Sequence, residues 1–273
     1  MKTNLPKPKR IRMGLYVILL ILAAGSMLAI KTCSHIKGNL SSNSGYDTIT
    51  VGIQYSPVSF YMYDDTLGGL DYDLFKLIEH QNHVTFKFKP ITTEQEGLTG
   101  LASGKYEVVA ADCPVTAEMR DSYLFTEPAY LDRQVLVQHM DSTDSVPPIA
   151  NVLDLRDATV YISQDSPIGS RLRHMAEELG DTINIRQLPY SPEQLFIRVA
   201  IGEIPCAVIN EQTAKALLPD YPNINISTSI SFSQLQPWFV AKDNQALCDL
   251  LDKWIKAAKD TSAYKDILNR YLK

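Results

Sequence analysis

Apolar and polar positions divide the chain into three stretches. Residues 1–12 are polar and basic, residues 13–30 carry no charge, and from about residue 48 apolar clusters alternate between periods of two and about 3.6. The TITVGI run at 48–53 is short and β-branched, which predicts a strand. Residues 69–81 place Leu70, Tyr72, Leu74, Phe75, Leu77 and Ile78 at helical spacing. Residues 84–91 alternate apolar side chains with lysines, predicting a strand with one solvated face. A short helix is expected at 94–102, closed by Gly104, then strands at 106–111 and 135–137. After a loop at 141–148 the pattern restarts, with strands at 158–162, 183–188 and 206–209. Helices are expected at 167–179 and 192–201, closed by Gly180 and Gly202, and at 211–218. A strand at 238–241 and helices at 245–259 and 262–272 finish the chain. This alternation predicts an α/β fold with mostly parallel sheets and right-handed connections, and the two blocks predict two lobes.

The uncharged run has a different meaning. At about 1.5 Å per residue a helix over 13–30 just reaches across a hydrocarbon core of about 30 Å. Lys2, Lys7, Lys9, Arg10 and Arg12 precede it with no acid among them, the pattern of a signal peptide or signal anchor. The positive-inside bias then leaves the N-terminus in the cytoplasm and the rest outside. An uncleaved anchor, a cleaved signal with Ala23-Ala24-Gly25 as the cleavage region, and a lipoprotein through Cys33 are the three readings. The small, polar residues 38–47 read as a tether. The expected organisation is therefore 1–37 as cytoplasmic basic segment and membrane anchor or signal, 38–47 as linker, 48–137 with 236–273 as the first lobe, and 138–235 as the second.

Composition narrows the function. The chain has 273 residues, is 45% hydrophobic and 21% charged, and carries a net charge of −5. It can bury a core, and no basic patch of the kind nucleic-acid binders use stands out. Cys33, Cys113, Cys206 and Cys248 are too widely spaced for a zinc pattern. The five histidines form no H-E-x-x-H, and neither a G-x-S-x-G elbow nor a P-loop is present. The Glu177-Glu178 pair reads as a solvated helix face. No cofactor, no metal and no catalysis are expected.

Several segments carry a resemblance. Val51-Gly52-Ile53 is followed by Pro57 and Phe60; then come Gly69-Leu70-Asp71-Tyr72-Asp73-Leu74, and Leu101 through Gly104 to Val108. Thr116, Arg120 and Phe125 through Tyr130 follow, and Tyr264 through Tyr271 closes the series. In this order they resemble the bacterial extracellular solute-binding proteins of family 3, from about residue 48 to the end. Within that family, 56–61 (SPVSFY), 69–74 (GLDYDL) and 237–240 (PWFV) are similar to the non-catalytic N-terminal domain of membrane-bound lytic transglycosylase F. The resemblance implies a two-lobed, type II periplasmic-binding fold, with hinge strands near 134–137 and 238–241 and a ligand cleft that the lobes close over. It also implies a small-molecule ligand, an ABC-type permease or an envelope protein as partner, and a monomer; the N-terminal stretch places the protein on the periplasmic side of the inner membrane, anchored by residues 13–30, or secreted if cleaved.

The resemblance carries site residues with it. Amino-acid binders of the family hold the ligand carboxylate with an Arg three residues after the Thr. Here Thr116 is followed at that spacing by Met119, and Arg120 comes one residue late. A backbone donor two residues before the Thr is replaced by Pro114, which has no N–H. The acid for the ligand's amino group is replaced by Asn210, with Glu211 beside it. With three anchors altered, a peptide, a cell-wall fragment or another polar solute stands beside a simple amino acid as the expected ligand. The candidate ligand-binding residues are Tyr55, Phe60, Asp112, Thr116, Arg120, Ser166, Asn210 and Glu211; Ser166-Pro167 reads as a helix start that could offer N–H groups to an anion.

Overall fold

The computed structural model describes residues 46–113, 115–140, 146–180 and 182–272. Among them no helix is long and apolar enough to cross a membrane. The expected span at 13–30, the tether up to 45, Cys33 and Pro114 lie outside the described residues.

From Thr48 onward the chain builds two five-stranded sheets. In the first, β1 (Thr48–Gln54) lies between β4 (Thr85–Ile91) and β5 (Val108–Ala110), parallel to both. On the far side of β5, β14 (Phe239–Ala241) and then β6 (Tyr123–Phe125) complete the sheet. In the second, β10 (Asn184–Leu188), β9 (Thr159–Ser163) and β11 (Cys206–Asn210) run parallel, followed by β8 (Gln134–His139) and β12 (Ile224–Ser229). The expectation of mostly parallel sheets therefore needs a correction. In each sheet the chain returns from the other lobe through an antiparallel strand: β14 is antiparallel to both its neighbours, and so is β8.

The strand expected at 135–137 sits in the second sheet, although the first lobe was drawn to 137. The chain passes between sheets through β7 (Tyr130–Asp132) and β13 (Gln234–Gln236), which pair antiparallel with each other. The crossing thus lies a few residues before the expected hinge positions. A hairpin of β2 (Tyr61–Tyr63) and β3 (Thr66–Gly68) projects from the first lobe. Asp64 and Asp65 make its two-residue loop at φ 47° and 60°, as a type I′ turn requires.

Local chemistry sets the helix limits. Helix α1 (Leu70–Asn82) ends at His83 in the left-handed conformation, and α2 (Glu94–Ala102) starts under the Thr93 hydroxyl, which accepts from Glu96 N at 3.1 Å. Helix α3 (Ala117–Ser122) is capped by Thr116, and α4 (Ile168–Leu179) ends at Gly180 with φ 66°. Helix α5 (Pro192–Ala200) opens with a Ser191–Gln194 capping box and a proline in its first turn. Helices α6 (Glu211–Leu217), α7 (Gln245–Lys259) and α8 (Ser262–Tyr271) follow, the last two capped by Asn244 and Thr261.

Both faces of the second sheet are buried, which is why 135–137 reads as an unbroken apolar run. Val135 and Val137 face Leu195, Phe196 and Val199 of α5, while Leu136 between them faces Leu155, Val160 and Leu172. In the first lobe Phe75 of α1 stacks on Trp238, with ring centroids 3.7 Å apart. The Trp238 indole N–H donates to buried Asp71 at 2.7 Å, and Ser59 Oγ donates to the same carboxylate at 2.6 Å. The last helix is tied back by Tyr271, whose hydroxyl donates to Asp73 at 2.8 Å and accepts from Gly69 N at 3.1 Å.

Candidate functional site

Six parallel strands end at one place. The carboxyl ends of β1, β4 and β5 deliver Ser56, Glu94 and Asp112; those of β9, β10 and β11 deliver Ser166, Glu193 and Asn210. Side chains clustering at carboxyl ends of parallel strands are the usual ligand location in open α/β sheets. Together they line a cavity of about 10 Å³ between the lobes, room for about one water. A larger cleft of about 960 Å³ continues outward from it, sharing Ser56, Ser163 and Glu193 as lining and walled further by Tyr55, Tyr61, Lys105 and Tyr190.

Asp112 is the most constrained of these groups. Its carboxylate accepts from Ser56 Oγ at 3.2 Å and from the Tyr130 hydroxyl, and its N–H donates to Gln54 Oε1 at 2.8 Å. Burial pushes its carboxyl above the ordinary value against the opposing effect of those two hydrogen bonds. Burial also raises Glu94 to about 7, with the Asp112 and Glu193 charges adding to it, and raises Glu193 in the same direction. From the second lobe, Asn210 Nδ2 donates to the Asp112 carbonyl at 2.9 Å while its Oδ1 accepts from Gln134 Nε2 at 3.2 Å. Asn210 therefore joins the floor of one lobe to the floor of the other.

The eight expected residues separate into two groups. Asp112, Ser166 and Asn210 line the inner cavity, and Tyr55, 51% exposed, lines the outer cleft. The other four do not line either. Phe60 is buried against Tyr72 and Phe88, a packing role. Thr116 accepts from Met119 N and caps α3. Arg120 is exposed at a separate pocket with Val115, Phe125 and Leu235, because Met119 takes the inward position and packs against the first-lobe core. Glu211 is held in a bidentate pair by Arg133, at 2.9 and 2.7 Å, and also faces Lys215 at 3.5 Å. Burial pushes its carboxyl up, but Arg133 and Lys215 outweigh this and hold it below the ordinary value.

Glu94 and Glu193 are the residues that sequence reasoning missed. Each stands in the first turn of a helix behind a Thr or Ser cap, where an acid is ordinarily a solvated complement to the helix dipole. Only the approach of the opposite lobe makes each a cleft residue, and no local signal announces that. Among the described residues no group of His, Cys, Asp or Glu has the arrangement to hold a metal. Cys113, Cys206 and Cys248 are buried, and burial raises their thiols, so none is poised as a nucleophile.

Residues 48–273 match the sequence model of the bacterial extracellular solute-binding proteins, family 3. A membrane-bound lytic murein transglycosylase F of Desulfosudis oleivorans is 26% identical over 78% of this chain, which covers 46% of that protein. The chain thus spans about half the length of that relative. A probable histidine-binding protein of Campylobacter jejuni is 24% identical, over 92% of this chain and 96% of its own length. Among solved structures, an ancestral arginine-binding protein bound to arginine superposes with a TM-score of 0.70 at 22% identity, covering 83% of this chain and 99% of its own. The likeness establishes the two-lobed periplasmic-binding fold. With the family match spanning both sheets and every strand end that meets at the cleft, the chain belongs to the bacterial extracellular solute-binding proteins of family 3.

Proposed function

We propose that this protein captures a small polar solute between its lobes and presents it, outside the cytoplasmic membrane, to a membrane permease, without chemically altering it. The observation that carries this reading is the Asn210–Asp112 hydrogen bond across a cleft walled by buried polar groups from both lobes. A site split between two bodies is completed only when they come together, so a solute that touches both stabilises the closed arrangement. Among the described residues that line the two cavities there is no His or Cys. The family match and the membrane-bound relatives support a periplasmic setting, and the basic and apolar N-terminal stretches support a tether. Solved structures of like fold that are described as substrate-binding proteins of amino acid ABC transporters support an ABC-type importer as partner.

A second reading rests on the transglycosylase relatives: a sensing module for cell-wall fragments that docks on an envelope protein. A thermal-shift screen of the full chain against amino acids, peptides, muropeptides, sugars and amines separates the two. A solute at a hundred times its dissociation constant should stabilise the fold by about 2.7 kcal/mol. Muropeptides as the sole hits would favour the sensing module, and no hit of any class would overturn the solute-binding reading.

A further inference from the structure

The charge around the inner cavity identifies the solute class more closely than the fold does. Glu94 and Asp112 of the first lobe and Glu193 of the second wall it, and no Lys, Arg or His is among its lining residues. Three cations of the surrounding elements are placed elsewhere. Arg120 faces a separate pocket, Arg133 is forked onto Glu211, and Lys105 stands at the outer cleft 3.8 Å from Glu96.

Two buried polar atoms at the same place have no hydrogen-bond partner among the described residues: Ser166 Oγ and Glu193 Oε1. Ser166 is 5% exposed and lines the cavity. Both atoms can accept, and buried polar atoms left without partners mark a place where a donor belongs. Three carboxylates in a poorly solvated space must take up protons or meet a cation. An incoming carboxylate would meet three carboxyl groups and, among the described residues lining the cavity, no guanidinium to fork onto it.

We propose that the inner cavity receives the charged nitrogen of a small organic cation that carries no carboxylate, an alkylamine or guanidine, with the rest of the solute lying along the outer cleft between Tyr55 and Tyr190. This rests on the solute-binding reading and narrows it. The N–H donors of such a head group satisfy Ser166 Oγ and Glu193 Oε1 while its charge balances the acids. The lobes must part by more than the present cavity allows to admit it, and close again on Glu193 from one side and Glu94 from the other.

Two matched pairs test this by calorimetric titration of the full chain: L-arginine against agmatine, and L-lysine against cadaverine. Each pair shares its cationic end and differs by one carboxylate. The expected result is that at least one carboxylate-free partner binds ten-fold or more tightly than its amino acid. Glu193→Gln is expected to weaken that binding at least ten-fold, and Arg120→Ala to leave it unchanged. Glu94→Gln repeats the test from the first lobe should the first variant fold poorly. Amino acids binding as tightly as their amines, or a neutral or anionic solute binding where the amines do not, would overturn this inference and leave the solute-binding reading standing. Failure of every solute class in a folded sample would overturn both.

Discussion

The side-chain amide of Asn210, on the second lobe, donates to the main-chain carbonyl of Asp112, on the first, at 2.9 Å. Both residues are buried, and Gln134 Nε2 fixes the orientation of the amide by donating to its oxygen at 3.2 Å. The resemblance to amino-acid binders of the family implies an acid at position 210. An acid there could not donate to a carbonyl unless it were protonated, whereas an amide does so at any pH. The amide at this position therefore serves as a contact between lobes.

Removing that contact should loosen closure. Asn210→Ala loses a buried hydrogen bond worth about 1 kcal/mol, about a five-fold shift in the balance between parted and closed lobes. Faster amide exchange around residues 111–113 and 210–212 in the variant is the expected readout, with the rest of the strands of each sheet unchanged.

The acids of the fold make the protein sensitive to pH in an unusual direction. Burial is the main cause that pushes Asp71 up to about 7, Glu94 to about 7 and Asp132 to about 8. A carboxyl whose folded value lies above its unfolded value near 4 holds more protons when folded, so stability is present at low pH and is lost as pH rises through the folded value. The chain without solute should therefore melt several degrees higher at pH 5 than at pH 8. Asp71→Asn keeps an amide that can serve Trp238 and Ser59, and should flatten that slope. A melting temperature that rises from pH 5 to pH 8 would contradict the assignment.

Asp71 also gives a packing test. Trp238→Phe keeps the stack on Phe75 but removes the indole donor, leaving a buried carboxyl oxygen without its partner. The expected cost is about 1–3 kcal/mol, measured by denaturant unfolding. A smaller loss is expected at low pH, where the carboxyl is protonated.

Gly69 is irreplaceable for two reasons. Its φ is 126°, which side-chain-bearing residues rarely adopt, and a Cβ there would sit 2.3 Å from the Ser59 carbonyl oxygen. Gly69→Ala should cost about 2 kcal/mol or more and loosen the start of α1, including the Tyr271 hydroxyl that accepts from Gly69 N.

Much of this fold was legible in the pattern of residues. Helices 94–102 and 245–259 carry the expected limits, because Thr93 and Asn244 cap them and the following turns stop them. The three-residue strands β6, β7 and β13 were not legible, since so short a stretch holds no period. The 61–68 hairpin was missed because Asp64-Asp65 lacks the glycine that marks such turns. Arg120 shows how a one-residue shift defeats a motif: one step along a helix turns a side chain by about 100°. Met119 took the inner face and the guanidinium went to solvent. The residues legible at the site were those that follow strand ends: Tyr55, Asp112, Ser166 and Asn210. Glu94 and Glu193 gain their role only from the lobe opposite, which no local pattern encodes.

Hydrogen–deuterium exchange of the full chain, with and without the solute found by screening, tests the central claim most directly. Capture between lobes predicts that protection appears together at both walls: residues 93–96 and 110–113 on the first lobe, and 163–169, 192–195 and 208–211 on the second. Protection confined to one lobe, or to the outer surface away from Asp112 and Asn210, would contradict it.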